Sequence, residues 1–131
     1  MYKYKVLILD GGAILPPTTV VALNLKGYEV DIAQDYTEGL QALAIGGYQL
    51  VIFREELMGT AAWLCLEIRQ LTGIPIIVIS GDTSKQAFVR TIRAGADYFL
   101  REPVSSLELL ARVNALLRRT RPAPFELSRL N

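Results

Sequence analysis

The sequence of 131 residues contains no histidine and a single cysteine, Cys65. The absence of histidine excludes a Ser-His-Asp triad, a histidine metal site and phosphohistidine chemistry. One cysteine excludes an internal disulfide and a zinc site built from cysteines. Cys65 lies in an apolar stretch of helical spacing, so we expect a buried, unreactive thiol. We likewise expect Trp63, two residues earlier, to pack partly on the core and not to anchor a partner.

Long apolar runs and an excess of charge of either sign are also missing. No segment approaches the roughly 18–20 apolar residues that a membrane-spanning helix needs. The opening residues, MYKYKVLILD, lack the pattern of a signal peptide. Fourteen Lys and Arg residues face 13 Asp and Glu residues, a net charge of +1, which argues against coating nucleic acid or membrane by bulk charge. We therefore expect a cytoplasmic protein without membrane contact.

The sequence does contain enough apolar residues for a core, since 51% of it is hydrophobic. Its length is typical of one domain of roughly 100–150 residues. Short apolar runs alternate five times with segments of helical spacing. Strands are predicted over Tyr4–Leu9, Tyr28–Ala33, Gln49–Phe53, Pro75–Ile79 and Asp97–Leu100, and helices over Ile14–Lys26, Tyr36–Ile45, Thr60–Leu71, Ser84–Ala94 and Ser105–Arg119. This alternation predicts an α/β fold, a five-stranded parallel sheet with helices on both faces.

Candidate functional residues follow the predicted strands. In a parallel α/β sheet, sites lie at the carboxyl ends of the strands. Asp10 and Gly11 follow the first strand, and Arg54 follows the third. Ser80 and Glu102 follow the fourth and the fifth. These five residues form the candidate site.

Four segments carry a resemblance to a known family. In chain order they are KVLILDGG, YQLVIFREELMG, IPIIVISG and IRAGADYFLREPVSSLELLARVNALLRR. Together they cover about residues 3–120 and resemble the receiver domain of bacterial response regulators. The resemblance implies a (βα)5 flavodoxin-like fold, with a receiver-like domain over residues 1–120 and a linker or tail over residues 121–131. Phe99 retains an aromatic residue at the family's switch position.

The candidate site departs from the chemistry of that family. There, two acids after the first strand and an acceptor Asp after the third hold Mg²⁺, while a hydroxyl and a Lys bind the phosphoryl oxygens. Asp10 matches the first acid, and Ser80 matches the hydroxyl. Gly11, Arg54 and Glu102 stand where the second acid, the acceptor and the Lys belong. The resemblance therefore implies a regulatory module that binds no metal or other cofactor, is not an enzyme and accepts no phosphoryl group.

The charges at two of these positions are exchanged relative to the family. A cation at 54 and a carboxylate at 102 predict that Arg54 contacts Glu102 or Asp10. Arg54 then fills the pocket permanently, with Ser80 as a candidate partner. Two alternatives remain open. One is a phosphoryl-accepting receiver, although the offset of Glu55 from the strand end points it elsewhere in the loop. The other is a small-ligand sensor in which Arg54 holds an anion.

A second set of charged residues belongs to the fourth helix, fifth strand and fifth helix. Regulators with winged-helix DNA-binding domains place intersubunit ion pairs there, and the matching positions are Arg90, Asp97, Glu108, Arg112 and Arg119. The best match is Arg90 with Glu108, whereas Tyr98 replaces a common Asp. The resemblance implies a homodimer through this face, and DNA binding only through an output domain outside this sequence. An ordinary solvated face is the alternative.

Overall fold

The structure is a computed structural model that describes residues 4–9, 16–55 and 57–119. Of Arg119, only the backbone is described. The five predicted strand and helix units are confirmed. The strands are β1 (Lys5–Leu9), β2 (Glu29–Ala33), β3 (Leu50–Arg54), β4 (Ile76–Ser80) and β5 (Tyr98–Arg101). The helices are α1 (Pro17–Leu25), α2 (Tyr36–Ile45), α3 (Thr60–Leu71), α4 (Lys85–Arg93) and α5 (Ser106–Arg119).

All five strands form one parallel sheet in the order β2-β1-β3-β4-β5. This is the strand order of the predicted flavodoxin-like fold. The register aligns Arg54 with Ile79 and Ser80 with Arg101. The carboxyl ends of β3, β4 and β5 therefore meet at one edge, where the candidate site lies.

The hydrophobic core has one layer on each face of the sheet. Leu7, Val51 and Val78 pack with side chains of α2, α3 and α4. Their neighbours along the strands point the opposite way and pack with α1 and α5. Successive strand residues alternate between faces, so a sheet covered on both sides needs continuous apolar strands. Within the described ranges, no helix is long and apolar enough to cross a membrane.

Helix α3 buries one stripe of its side chains. Its buried side chains are Ala61, Leu64, Cys65 and Ile68, which recur every three or four residues and form one stripe. Cys65 is on this stripe and is buried, as predicted. Trp63 lies off it and is 50% exposed, so its expected partial packing on the core stays a prediction.

We expect Cys65 to resist alkylation in the folded protein. Burial, the main cause, raises the pKa of this thiol to about 12. Because the thiolate is the reacting form, only roughly one ten-thousandth of the folded protein is reactive at about pH 8. Iodoacetamide labelling followed by intact mass should therefore be at least about a hundred times slower than in concentrated urea. Equal rates in both conditions would show that the thiol is accessible.

Candidate functional site

Arg54 and Glu102 form a bidentate ion pair across the end of β4. Arg54 ends β3, and Glu102 directly follows β5. The Arg54 Nε donates to Glu102 Oε2 at 2.5 Å, and its Nη2 donates to Oε1 at 3.0 Å. The two side chains are 32% and 28% exposed. The predicted contact between Arg54 and Glu102 is confirmed. Asp10 and Gly11 lie outside the described residues.

Glu55 points into the protein, which corrects the expectation that it turns elsewhere in the loop. Only 8% of the residue is exposed. Its Oε2 accepts the backbone N–H groups of Gly59 and Ala61, each at 2.9 Å. Gly59 is the N-cap of α3 and has no side chain to cap the helix. The unsatisfied N–H groups of the first turn therefore draw the Glu55 carboxylate inward.

Ser80 is held by Glu55 and not by Arg54. Its hydroxyl donates to Glu55 Oε1 at 2.8 Å and accepts the Asp82 N–H at 3.0 Å. The residue is 1% exposed. Sequence reasoning offered Arg54 as the partner of Ser80 and missed Glu55. The available signal was an acidic residue between the strand end and a helix whose N-cap is glycine.

An open cleft of about 410 Å³ adjoins these groups, and Arg54, Glu55, Ser80 and Asp82 contribute to its lining. The described donor set does not fit Mg²⁺, which prefers carboxylate and water oxygens. Glu55 already accepts three hydrogen bonds, and Glu102 is bound to a guanidinium. Within the described ranges, no group of three His, Cys, Asp or Glu residues is placed to hold a metal ion.

Phe99 of β5 packs against Phe88 of α4. Phe99 is 8% exposed, and its ring meets that of Phe88 edge to face, with centroids 6.0 Å apart. Phe88 is 43% exposed. The aromatic residue at the predicted switch position is therefore turned inward, against a helix of the predicted dimer face.

The charges of α4, β5 and α5 are distributed unevenly. We call this the α4–α5 face. Its exposed basic residues are Lys85, Arg90, Arg93, Arg101, Arg112 and Arg118, and its exposed acidic residues are Asp97 and Glu108. The side chain of Arg119 lies outside the described residues. Positive charge therefore predominates on this face.

Two residues of the predicted ion-pair set have partners within the chain. Asp97 Oδ2 accepts the Ile76 N–H at 2.8 Å and an N–H of Arg69 at 3.2 Å. Arg112 lies over the ring of Tyr98, 4.9 Å from its centroid, which is a cation–π distance. Sequence reasoning missed both partners, because it placed Asp97 and Arg112 only in contacts between subunits.

The family model described as the response regulator receiver domain matches residues 6–114. The chain therefore belongs to the response regulator receiver family, the receiver domains of two-component signalling. The DNA-binding response regulator MtrA of Mycobacterium tuberculosis (strain ATCC 25618 / H37Rv) is 29% identical over 126 residues, which are 95% of this chain and 55% of MtrA. The chain spans about half the length of the curated relatives it matches.

Solved structures are similar over the same region. A two-component response regulator from Clostridium difficile has a TM-score of 0.82 and 28% identity, covering 91% of this chain and 99% of that one. An atypical orphan response regulator with a phosphorylation-independent regulatory mechanism has a TM-score of 0.76 and 26% identity, covering 87% of this chain and 95% of that one. These structures share the architecture described above.

Proposed function

We propose that this receiver regulates an output domain without being phosphorylated. The ion pair between Arg54 and Glu102 carries the proposal. These residues stand where the family places its acceptor Asp and its Lys, and the two side chains bind each other. A protonated guanidinium cannot attack phosphorus as the acceptor carboxylate does, and its charge repels Mg²⁺. We therefore propose neither phosphotransfer nor another enzymatic activity.

The proposed setting is a cytoplasmic transcriptional regulator. Residues 1–120 form the receiver module, and residues 121–131 form its linker or tail. MtrA, which is named as DNA-binding, extends well beyond the region that this chain matches, and this supports a DNA-binding output domain as the controlled partner. The atypical orphan regulator supports control without a phosphoryl group. The alternative function, a small-ligand sensor in which Arg54 holds an anion, is disfavoured because the Arg54 guanidinium already faces the Glu102 carboxylate.

The module is further proposed to form a homodimer through the α4–α5 face. Arg90 and Glu108 are both exposed there, as the best-matched intersubunit pair requires. A two-fold axis would let each Arg90 meet the Glu108 of the other subunit. Phe88 and Leu107, which are 43% and 80% exposed, supply apolar area on α4 and α5.

The proposed function predicts no phosphoryl adduct on this protein. Incubation with acetyl phosphate and Mg²⁺, read by intact mass, should show no gain of about 80 Da. A receiver with the complete set of five groups, treated in parallel, should gain that mass. A stable adduct that maps to residues 54–56 would overturn the proposal and favour the phosphoryl-accepting alternative.

A further inference from the structure

The Glu55 carboxylate joins the start of α3 to the end of β4. It accepts the N–H of Gly59, the N-cap of α3, the N–H of Ala61 in the first turn, and the hydroxyl of Ser80. Removing a carboxylate from water is costly unless hydrogen bonds replace the lost solvation. Three donors converge on this one, and together they supply that replacement.

Hydrogen bonds continue from Ser80 to the start of α4. The Ser80 hydroxyl accepts the Asp82 N–H at 3.0 Å, and Asp82 Oδ1 accepts the Ser84 N–H at 2.9 Å. The bond from the Ser84 N–H also lowers the pKa of Asp82, which favours the charged acceptor. Ser84 is the N-cap of α4, and its hydroxyl accepts the Ala87 N–H at 3.1 Å. Each acceptor in this chain of hydrogen bonds orients the next donor, up to the first turn of α4.

We propose that Glu55 is an internal anion that positions α4 through Ser80, Asp82 and Ser84. The inference rests on the proposed function in one respect: the Ser80 hydroxyl binds Glu55 and not a phosphoryl group. Glu55 is a positioning residue, since it touches no substrate. Its carboxylate fixes the β4–α4 connection at all times, and so holds one arrangement of the α4–α5 face.

Hydrogen exchange of backbone amides, followed by mass spectrometry, tests the inference. Glu55→Gln places an amide N–H₂ among donors and leaves part of them unsatisfied. We expect amides in the first turns of both α3 and α4 to exchange about tenfold faster or more. Ser80→Ala removes the hydroxyl that connects Glu55 to Asp82 and leaves the bonds of Glu55 to α3 in place. It should therefore accelerate exchange in α4 alone. As a control, Glu67→Gln on α3 removes a carboxylate that makes no hydrogen bond with the described part of the chain, and it should change exchange in neither turn.

The pattern of exchange separates positioning from a loss of overall stability. A merely structural role would accelerate exchange in α1 and α5 to the same degree as in α4. Glu55→Gln combined with Ser80→Ala should accelerate α4 no more than the stronger single change, because both act on one path. Uniform acceleration, or purely multiplicative effects in α4, would overturn the proposal.

Chemical rescue tests whether the anion itself is required. Glu55→Ala leaves space for a small carboxylate among the donors that Glu55 satisfied. Sodium acetate, compared with sodium chloride at equal ionic strength, should restore slow exchange in α4 of Glu55→Ala and leave Ser80→Ala unchanged. Failure of acetate to restore it would overturn the anion role, and if Glu55→Ala does not fold, the Glu55→Gln pattern decides. A phosphoryl adduct on the native protein would instead refute the proposed function while leaving these exchange patterns unaltered.

Discussion

Exchanging the charges of Arg54 and Glu102 should restore much of the stability that either single reversal removes. Arg54→Glu alone leaves carboxylates at 54, 55 and 102 near one another, and Glu102→Arg alone opposes two guanidinium groups. Each change should lower the free energy of unfolding by about 1–3 kcal/mol, less than for a fully buried pair because both side chains are about one-third exposed. The double exchange should show a favourable coupling of about 0.5–3 kcal/mol. Urea unfolding of the native protein, the two single variants and the double variant gives the four free energies of unfolding. They can be compared if the m-value is the same in all four.

A more exposed ion pair of the same chain provides the control for this cycle. Lys5 Nζ and Asp31 Oδ2 are 3.8 Å apart, with side chains 38% and 45% exposed. Lys5→Asp combined with Asp31→Lys should show a coupling of only about 0–1 kcal/mol. Asp31→Lys loses the bond from Tyr48 to Asp31, and Lys5→Asp loses the contact of Lys5 with the Tyr48 ring. The double variant loses both, so these contributions cancel from the coupling energy. Additive effects at Arg54 and Glu102 would mean that the observed pair contributes nothing to the fold.

Most of the architecture was predictable because its cause is local in the sequence. A strand buried on both faces must be apolar along its whole length, and β3 and β4 display that pattern directly. Helices α2 and α4 have Asp35 and Ser84 as N-caps, and the side chain of each accepts an N–H of the first turn. Boundaries were less certain: the predicted fifth strand, 97–100, lies at Tyr98–Arg101. Part of the predicted first helix lies outside the described residues.

The candidate site was predictable only where strand ends define a position. Arg54 and Glu102 were matched because each follows a recognisable strand. The direction of Glu55 depends on how the loop after β3 enters α3, which no periodic pattern records. Asp97 and Arg69 are 28 residues apart, and their contact arises only when the sheet places β5 beside β4. Side chains whose roles depend on such tertiary proximity were therefore missed or assigned to another partner.

The proposed homodimer should become stronger as salt concentration rises. The α4–α5 face carries more exposed positive than negative charge, and Asp97 is already bonded to Arg69. Two copies brought together by a two-fold axis therefore repel, apart from the pairs that Arg90 and Glu108 make. Raising NaCl from about 50 mM to about 300 mM shortens the range of this repulsion. Sedimentation at several protein concentrations should show a several-fold lower dimer dissociation constant at the higher salt, whereas a monomer persisting to about 100 μM would reject the dimer.

Charge exchange at Arg90 and Glu108 tests which residues meet in this dimer. Arg90→Glu places two carboxylates together at each of two symmetric contacts, so dimerisation should weaken by about tenfold or more. Arg90→Glu with Glu108→Arg should restore it, because the attraction is re-formed with opposite polarity. Lys26→Glu, which makes the same change of charge at the C-cap of α1, should leave these contacts intact. Asp97 is unsuitable for this purpose, since its reversal would also break the bonds to Ile76 and Arg69. A dimer that tolerates Arg90→Glu would require a different interface, since the two-fold axis repeats every unfavourable contact.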